Sequence, residues 1–348
     1  MVALTKSYLH ATAWGLPACI AFLYLKEITA VINFPQFGTV IIVASLLLNV
    51  PANYVLMFGL LGFPALGLAG IGWATTLIYW GTLLASALMI YFHPKTRDYQ
   101  LFGYLNQFDK EIFVKIFQLG WPRGIQLATQ VGQFNVTAWL MGYLGTEVLA
   151  GHEIAIQTAD IFLTISIGIS YGATVRVGQM MGEKNPLGSL RVILVNIAFG
   201  LILAIVVALG LDLFASHIAA IYLDINNPEN AVAIRTATFF LKIAGVYLIF
   251  YSIHVIVGGA LLGLQDTSVP TLINIFIFWG VGLGGGCLMT RTLGWGGIGL
   301  WYGLILAPAG ASIILLVRFY LVNFKKMAER ENIDEGASQQ ATSRASLQ

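Results

Sequence analysis

Charged side chains are scarce in this sequence. Asp, Glu, Lys and Arg make up 10% of the 348 residues, and 58% of the residues are hydrophobic, whereas soluble domains carry about 25% charged residues. The mean hydropathy is +0.81. This shortage of charge excludes an ordinary soluble domain and indicates an integral membrane protein. The formal net charge is only +2, and no basic cluster lies outside the flanks of the apolar runs, so we expect no nucleic-acid partner.

Cysteines and catalytic motifs are also few. The two cysteines, Cys19 and Cys287, lie inside apolar runs, where we expect small core residues rather than a disulfide or metal ligands. The sequence contains no phosphate-binding loop, no metal-ligand spacing and no nucleophile motif. We therefore expect neither an enzyme nor a resident cofactor or metal. The first ten residues lack the small-residue cleavage site of a signal peptide.

Long apolar runs, by contrast, are abundant. They are continuous and show no ten-residue alternation, so they predict membrane-spanning helices and not barrel strands. Nine candidate spans lie near residues 8–31, 37–59, 67–92, 112–143, 147–175, 190–222, 231–263, 270–290 and 297–323. The predicted fold class is an all-α polytopic membrane protein. The polar segment that follows the last span, 324–348, is predicted to be a disordered tail.

Basic residues are distributed unevenly between the connections. Twelve of the eighteen lie on one side of the predicted membrane: Lys95, Arg97, Lys110, Lys115, Arg176, Lys184, Arg191, Arg318, Lys325, Lys326, Arg330 and Arg344. Three lie on the other side and three inside spans. Loops rich in Lys and Arg stay in the cytoplasm, so we predict a cytoplasmic C-terminus. Nine spans then place the N-terminus outside.

A glycine motif, G-x-x-G-I-G, occurs twice, at residues 67–72 and 294–299. The first copy opens the third span and the second opens the ninth, while Pro35 and Pro270 open the second and eighth. Spans one to three therefore match spans seven to nine in order, which is the parallel repeat of many two-lobe transporters. Spans four to six are left without counterparts. The repeat predicts a twelve-helix protein of which this chain lacks the first three helices.

The fourth and fifth spans carry polar side chains at helical spacing. On the fourth are Arg123, Gln126, Gln130, Gln133 and Thr137, and on the fifth are Glu153, Gln157, Asp160 and Thr164. Steps of three and four residues place each set on one face of a helix. Polar faces inside hydrocarbon are costly unless they face each other, water or a substrate. We therefore predict that these two spans form the functional site.

Several stretches resemble the NorM-type branch of the multidrug and toxic compound extrusion (MATE) family. They are WGLP at 14–17, NVPANYVLMFG at 49–59, the glycine run at 62–72, LGWPRGIQ at 119–126, LAGHEIA at 149–155, ATVRVGQMMGE at 173–183 and GALLGLQDTSVP at 259–270. Each motif alone is short, but their order and spacing extend over nearly the whole chain. The resemblance implies a MATE-type helical transporter with two six-helix lobes.

On this resemblance, the nine spans correspond to the fourth to twelfth helices of the family. The implied domains are a remainder of the N-lobe at 1–92, a cytoplasmic loop at 93–111, a C-lobe at 112–323 and the tail at 324–348. The resemblance implies a monomeric antiporter of the bacterial inner membrane. It would export organic cations and other amphiphilic drugs by alternating access, in exchange for sodium ions or protons.

The resemblance also indicates where a coupling ion would bind. The family usually has a glutamate where this chain has Gln130, and an aspartate near residues 251–254, where this chain has no carboxylate. Since a carboxylate in a low-dielectric site can take up a proton or a sodium ion, we predict the ion-coupling role for Asp160 or Glu153, beside Gln130. Residues predicted for the substrate cavity are Gln126, Gln133, Asn135, Gln157, Tyr251 and His254.

Two interpretations of the buried charges remain open from the sequence. Counted at 1.5 Å per residue, Arg123, Asp160 and Lys242 fall at similar depths, which predicts an ion-pair cluster with Arg123 and Lys242 as structural partners. If Arg123 and Asp160 form a permanent salt bridge, the pair couples nothing. If Asp160 is unpaired, it can bind the coupling ion.

Two other functions compete with drug efflux. A lipid-linked oligosaccharide flippase of the same superfamily would line its cavity with several basic residues, for which only Arg123 and Lys242 are candidates here. A truncated remnant would insert into the membrane without transporting anything. A membrane enzyme is the weakest alternative because no catalytic constellation is present.

Overall fold

The protein is described by a computed structural model. The structure describes residues 2–32, 34–93, 109–225 and 227–345, and the side chains of all of these except residues 2, 3, 35 and 324–345. Within these ranges the chain is helical and contains no β-strand. The all-α prediction is confirmed. The chain divides into two compact units, Met1–Asp109 and Lys110–Gln348, and this division falls inside the predicted loop 93–111, most of which lies outside the described residues.

The described residues of the first unit form four helices: α1 (Val2–Ala13), α2 (Leu16–Val31), α3 (Pro35–Phe58) and α4 (Leu68–Phe92). The predicted span 8–31 is not one straight helix, because α1 and α2 meet at a bend of 42°. Pro17 lies in the first turn of α2, where its missing N–H and its ring prevent an unbroken α-helix. Helices α1, α2 and α3 all pack against α4.

In the second unit, six long helices lie within the part of the chain that the structure describes: α5 (Lys110–Leu144), α6 (Thr146–Gly182), α7 (Pro186–Tyr222), α8 (Ala231–Gly263), α9 (Ser268–Thr292) and α10 (Gly297–Ala345). Helix α9 is interrupted by a π-helical segment, Phe276–Gly284. This segment is rich in glycine, which imposes little cost on irregular backbone, and π-helical segments occur frequently at functional sites.

Helix α8 forms the centre of the second unit. In the apolar 18-residue stretch of α8, 61% of the residues are buried, whereas in the corresponding stretch of α7 only 17% are buried. The main core cluster brings Leu241 and Tyr247 of α8 together with Met141, Leu211 and Trp301 from the surrounding helices. Helix α7 exposes most of its apolar surface, as expected of a helix that faces lipid.

Helices α6 and α8 approach closely through small residues. A Cβ added at Gly263 would lie 2.5 Å from the carbonyl oxygen of Thr174, and one added at Gly259 would lie 2.6 Å from that of Ser170. The two hydroxyl groups use this proximity, because Ser170 Oγ donates to Val255 O at 2.7 Å and Thr174 Oγ1 donates to Gly259 O at 2.8 Å. Small residues and interhelical hydrogen bonds are the typical means of helix association in membranes.

The glycines of both motifs lie at close contacts between helices. In the first unit, Gly70 packs against the backbone of α3 and Gly72 against that of α1. In the second unit, Gly299 packs against the backbone of α9 and Gly297 against Phe240 of α8. In each copy the glycines bring the third helix of the set against the first and the second, but corresponding positions contact different helices: Gly70 meets the second where Gly297 meets the first, and Gly72 meets the first where Gly299 meets the second. The repeat therefore stays a prediction.

The number of apolar spans differs from the prediction of nine. Within the described residues, seven helices are long and apolar enough to cross a membrane, and the bent pair α1–α2 adds an eighth. The predicted span 112–143 forms helix α5 but is not among them. Its arginine, glutamines and asparagine lower its hydropathy, so its place in a membrane depends on burial of these groups by neighbouring helices.

The C-terminal segment also differs from the prediction. Helix α10 continues to Ala345, where the sequence predicts a disordered tail from residue 324. The segment is rich in Ala, Glu, Lys, Arg and Gln, which are favourable helix formers, and this propensity accounts for the helical backbone.

Candidate functional site

The polar stripe of α5 is largely buried. Gln126, Gln133 and Thr137 are buried and Gln130 is half-buried. Arg123 donates from Nη1 to Oε1 of Gln126 at 2.9 Å, one turn away on the same helix. The helix therefore turns this stripe toward the interior of the second unit, as the spacing predicts.

Gln133 connects two helices of the second unit. Its Nε2 donates to the carbonyl oxygen of Phe278 at 3.0 Å, inside the π-helical segment of α9. A second tie lies nearby, because Trp279 Nε1 donates to Thr129 O at 3.2 Å. Gln133 is 1% exposed and joins α5 to α9, and its place in a substrate cavity stays a prediction.

Asn135 lies at the surface of α5. It is exposed and donates from Nδ2 to Val131 O of its own helix at 2.9 Å. It follows Gln133 by two residues, which rotates it away from the buried stripe. Nothing in its contacts relates it to the other predicted cavity residues.

The polar stripe of α6 is accessible. Gln157 and Asp160 are exposed and Glu153 is half-buried. Asp160 and Glu153 interact electrostatically across two turns of the helix. The Thr164 hydroxyl donates to the backbone carbonyl oxygen of Asp160 at 3.0 Å. This bond lies within the helix and does not involve the Asp160 carboxylate. The stripe predicted from the sequence thus presents two carboxylates on one helix face.

The predicted ion-pair cluster does not form. Within the part of the chain that the structure describes, neither Arg123 nor Asp160 has an ion-pair partner. Lys242 instead pairs with Asp212 of α7, with 3.1 Å between Nζ and Oδ1, and the two side chains are 48% and 57% exposed. The depth argument failed because similar depth does not place side chains on facing surfaces of neighbouring helices.

Tyr251 and His254 lie where α8 passes the two stripes. Tyr251 interacts electrostatically with both Asp160 and Arg123. Both Tyr251 and His254 are buried, with 5.8 Å between their ring centroids, and His254 Nε2 lies 3.0 Å from Asn274 Oδ1 of α9. We refer to Arg123, Gln126, Asp160, Tyr251 and His254 as the polar site.

Two residues of interest were missed by the sequence analysis. Asn274 is a lone amide in the apolar run of the eighth predicted span, and this isolation was a usable signal because polar groups in hydrocarbon require partners. Asp212 is a lone carboxylate on the sixth span, and Lys242 on the seventh could have indicated it. In the described residues, no group of three or more His, Cys, Asp or Glu side chains could hold a metal ion.

Comparisons with known proteins agree with this architecture. The sequence model of the MatE family matches residues 122–287. A probable multidrug resistance protein NorM from Synechococcus is 34% identical over 318 residues, which cover 91% of this chain and 68% of that protein. Its counterpart from Synechocystis is 32% identical over 325 residues, covering 93% of this chain and 70% of that protein.

Solved structures show the same fold. A crystal structure of a MATE in complex with MaL6 superimposes with a TM-score of 0.80 at 18% identity, over 92% of this chain and 70% of that one. A Vibrio cholerae MATE transporter gives a TM-score of 0.81 at 14% identity, over 94% and 70% of the two chains. The chain thus spans about two thirds of the length of these relatives.

Proposed function

The chain belongs to the MatE family, the multidrug and toxic compound extrusion family, and from this premise we propose that it is a multidrug efflux transporter driven by ion exchange. The substrates would be organic cations and other amphiphilic compounds, and the coupling ion would be a sodium ion or a proton. The names of its relatives, probable multidrug resistance proteins, support the substrate class. We also infer a multi-pass location in the bacterial inner membrane, with a cytoplasmic C-terminus.

Asp160 carries the proposal for coupling. It is an exposed carboxylate on a membrane-length helix, it has no ion-pair partner among the described residues, and it interacts electrostatically with Tyr251 of the polar site. A carboxylate committed to a permanent salt bridge could not exchange ions. An unpaired carboxylate can, and its occupancy can bias an alternating-access equilibrium by the difference in ion affinity between the two states.

Competition for this charge would link the ion to the drug. A cationic substrate and a coupling cation each lower the free energy of a charged carboxylate in a low-dielectric site. Because both neutralise the same charge, binding of one disfavours binding of the other. Tyr251 would contribute a ring face for cation–π contact. Glu153, two turns away on the same face of α6, is the second candidate for ion binding, and Gln130 would contribute as a neutral oxygen ligand.

The flippase interpretation is weakened by the contacts of Lys242. A flippase of anionic lipid-linked sugars requires several basic side chains in its cavity, and Lys242 is already paired with Asp212 at an exposed surface. Of the two basic residues on which this interpretation depends, only Arg123 belongs to the polar site. The observations therefore favour a cationic substrate.

Dye transport in proteoliposomes tests the proposal. The purified chain would be reconstituted, and ethidium movement followed under an imposed sodium or proton gradient. We expect gradient-driven transport in the parent, a loss of at least about tenfold in Asp160→Asn because the ion site loses its charge, and a smaller loss in Glu153→Gln. Asp212→Asn is the matched control, since it removes a membrane-helix carboxylate outside the polar site.

The outcomes separate two failures. If the parent moves no dye under either gradient, the proposal that this chain exports drugs is wrong, and the non-transporting alternative is favoured. If the parent transports and Asp160→Asn behaves as Asp212→Asn does, efflux stands and the coupling role of Asp160 is wrong.

A further inference from the structure

A continuous row of buried rings runs through the second unit. It begins at His152 of α6, passes Trp301 of α10, and continues along one face of α8 through Tyr247, Tyr251 and His254. The successive ring centroids are 5.6, 6.3, 5.3 and 5.8 Å apart. We refer to these five residues as the aromatic row. It reaches the polar site at Tyr251 and His254.

Polar atoms along this row have no hydrogen-bond partner in the described part of the chain. They are His152 Nδ1, Trp301 Nε1, Tyr247 Oη and His254 Nδ1, together with Nδ2 of Asn274, which contacts His254. Each of these side chains is at least 98% buried. The first four of these atoms belong to residues of the aromatic row, which are connected to one another by ring contacts that pass through Tyr251.

This concentration is unfavourable if the row is dry. An unsatisfied polar group inside a protein costs the free energy of removing it from water, and buried polar groups nearly always have a protein or water partner. Five such groups along one row of contacts would add their costs. The arrangement therefore calls for a small ligand that can satisfy them.

The hydrogen-bonding types identify that ligand. Trp301 Nε1 and Asn274 Nδ2 only donate, whereas the Tyr247 hydroxyl both donates and accepts. With His254 Nε2 donating to Asn274 Oδ1, the second nitrogen of the neutral ring is an acceptor. A ligand must therefore accept from some of these groups and donate to others, and water meets both requirements.

We propose that ordered water molecules bind along the aromatic row, one group at His152, Trp301 and Tyr247 and another at His254 and Asn274. These waters complete the hydrogen bonds of the five unpartnered atoms and extend hydration from the His152 end of the unit to the polar site. The proposal concerns the folded protein and does not depend on its transport activity.

Hydroxyl-radical labelling in water enriched in oxygen-18 tests the proposal directly. Radiolysis of bound water labels adjacent side chains even when bulk solvent cannot reach them. In the purified full chain in nanodiscs, we expect Trp301 and Tyr247 to be labelled at least about fivefold faster than Phe319 after correction for intrinsic reactivity, because bound water accompanies buried polar groups. Phe319 is equally buried, at 2% exposure, in an apolar cluster.

The thermal stability of the variant Tyr247→Phe provides a second test. Its Tm should change in opposite directions depending on whether water is bound in the row. It removes one hydroxyl and keeps the ring in the row. If water is bound, the variant loses hydrogen bonds and its Tm falls by a few degrees. If the hydroxyl is dry, its removal raises the Tm, since an unsatisfied group is eliminated. Tyr302→Phe is the matched control, because Tyr302 is exposed on the same helix as Trp301.

Both results are required. Fast labelling of Trp301 and Tyr247 together with a lower Tm for Tyr247→Phe than for Tyr302→Phe supports the proposal. Labelling no faster than that of Phe319, or a Tyr247→Phe variant at least as stable as the parent, overturns it. A protein that binds water in the row and moves no dye would overturn only the proposed efflux function.

Discussion

Arg123 donates a hydrogen bond to Gln126 at 2.9 Å, one turn along its own helix, and forms no ion pair with Asp160 in the described part of the chain. The partly buried guanidinium is thus held by a neutral amide, while the Asp160 carboxylate has no ion-pair partner in the described residues. This arrangement leaves Asp160 available for a cation, and it makes Gln126 the residue that positions Arg123.

Replacing Gln126 with Leu should destabilise the second unit. The substitution removes the acceptor of a charge-assisted hydrogen bond and leaves a partly buried guanidinium without it, at a cost of about 1.5–3 kcal/mol. Thermal unfolding in detergent measures the effect. Gln157→Leu is the control, since Gln157 is exposed and has no hydrogen bond among the described residues. Equal Tm values for the two variants would contradict the role assigned to Gln126.

Replacing Gly259 with Val should destabilise the protein strongly. A Cβ at this position would lie 2.6 Å from the Ser170 carbonyl oxygen, so α6 and α8 would have to separate, and overpacking of this kind costs about 1–3 kcal/mol. The neighbouring Gly258→Val is the control, because a Cβ there meets nothing within 4 Å. If both variants unfold at the same temperature, close packing at Gly259 is not important for stability.

The two ion pairs that the structure describes in the second unit should differ in strength. Asp266 Oδ2 accepts from Arg318 Nε at 2.8 Å with the Asp266 side chain only 13% exposed, whereas the Asp212–Lys242 pair is about half exposed. Exposed pairs contribute about 0.2–1 kcal/mol because solvent screens them. Double-mutant cycles with Asp→Asn and with Arg→Gln or Lys→Gln should give the larger coupling free energy for Asp266 and Arg318. A larger coupling free energy for Asp212 and Lys242 would show that burial does not determine which of the two pairs is stronger.

The uneven distribution of basic residues predicts a cytoplasmic C-terminus. A C-terminal green fluorescent protein fusion should therefore fluoresce in bacteria, and a C-terminal alkaline phosphatase fusion should be inactive, because each reporter matures on only one side of the membrane. Fusions at the connection between α7 and α8, residues 223–230, should give the opposite pattern. The same pattern at both positions would refute the predicted topology.

Several features of the fold followed from local patterns. The apolar runs predicted all the helices of the second unit, because a backbone in hydrocarbon must satisfy its hydrogen bonds within the helix. The spacing of Glu153, Gln157 and Asp160 predicted one polar face on α6, which the exposure of these residues matches. The span at 8–31 was predicted as one helix, although Pro17 was a local signal for the bend.

The identities of interacting side chains could not be predicted in the same way. Lys242 pairs with Asp212, Gln133 bonds to the Phe278 carbonyl oxygen, and His254 contacts Asn274. Each pair joins two helices, so it depends on how neighbouring helices are rotated and shifted against each other. Residue depth, which the sequence does predict, leaves these rotations undefined.

The sequence by itself determined the helical class, the polar faces of α5 and α6 and, through its motifs, the MatE family, because these depend on composition and on spacing within one helix. Only the tertiary structure decided that Asp160 has no ion-pair partner in the described residues and that buried rings form a row from His152 to His254. Those relations arise from packing around α8, where the free energy of many small contacts selects one arrangement of helices.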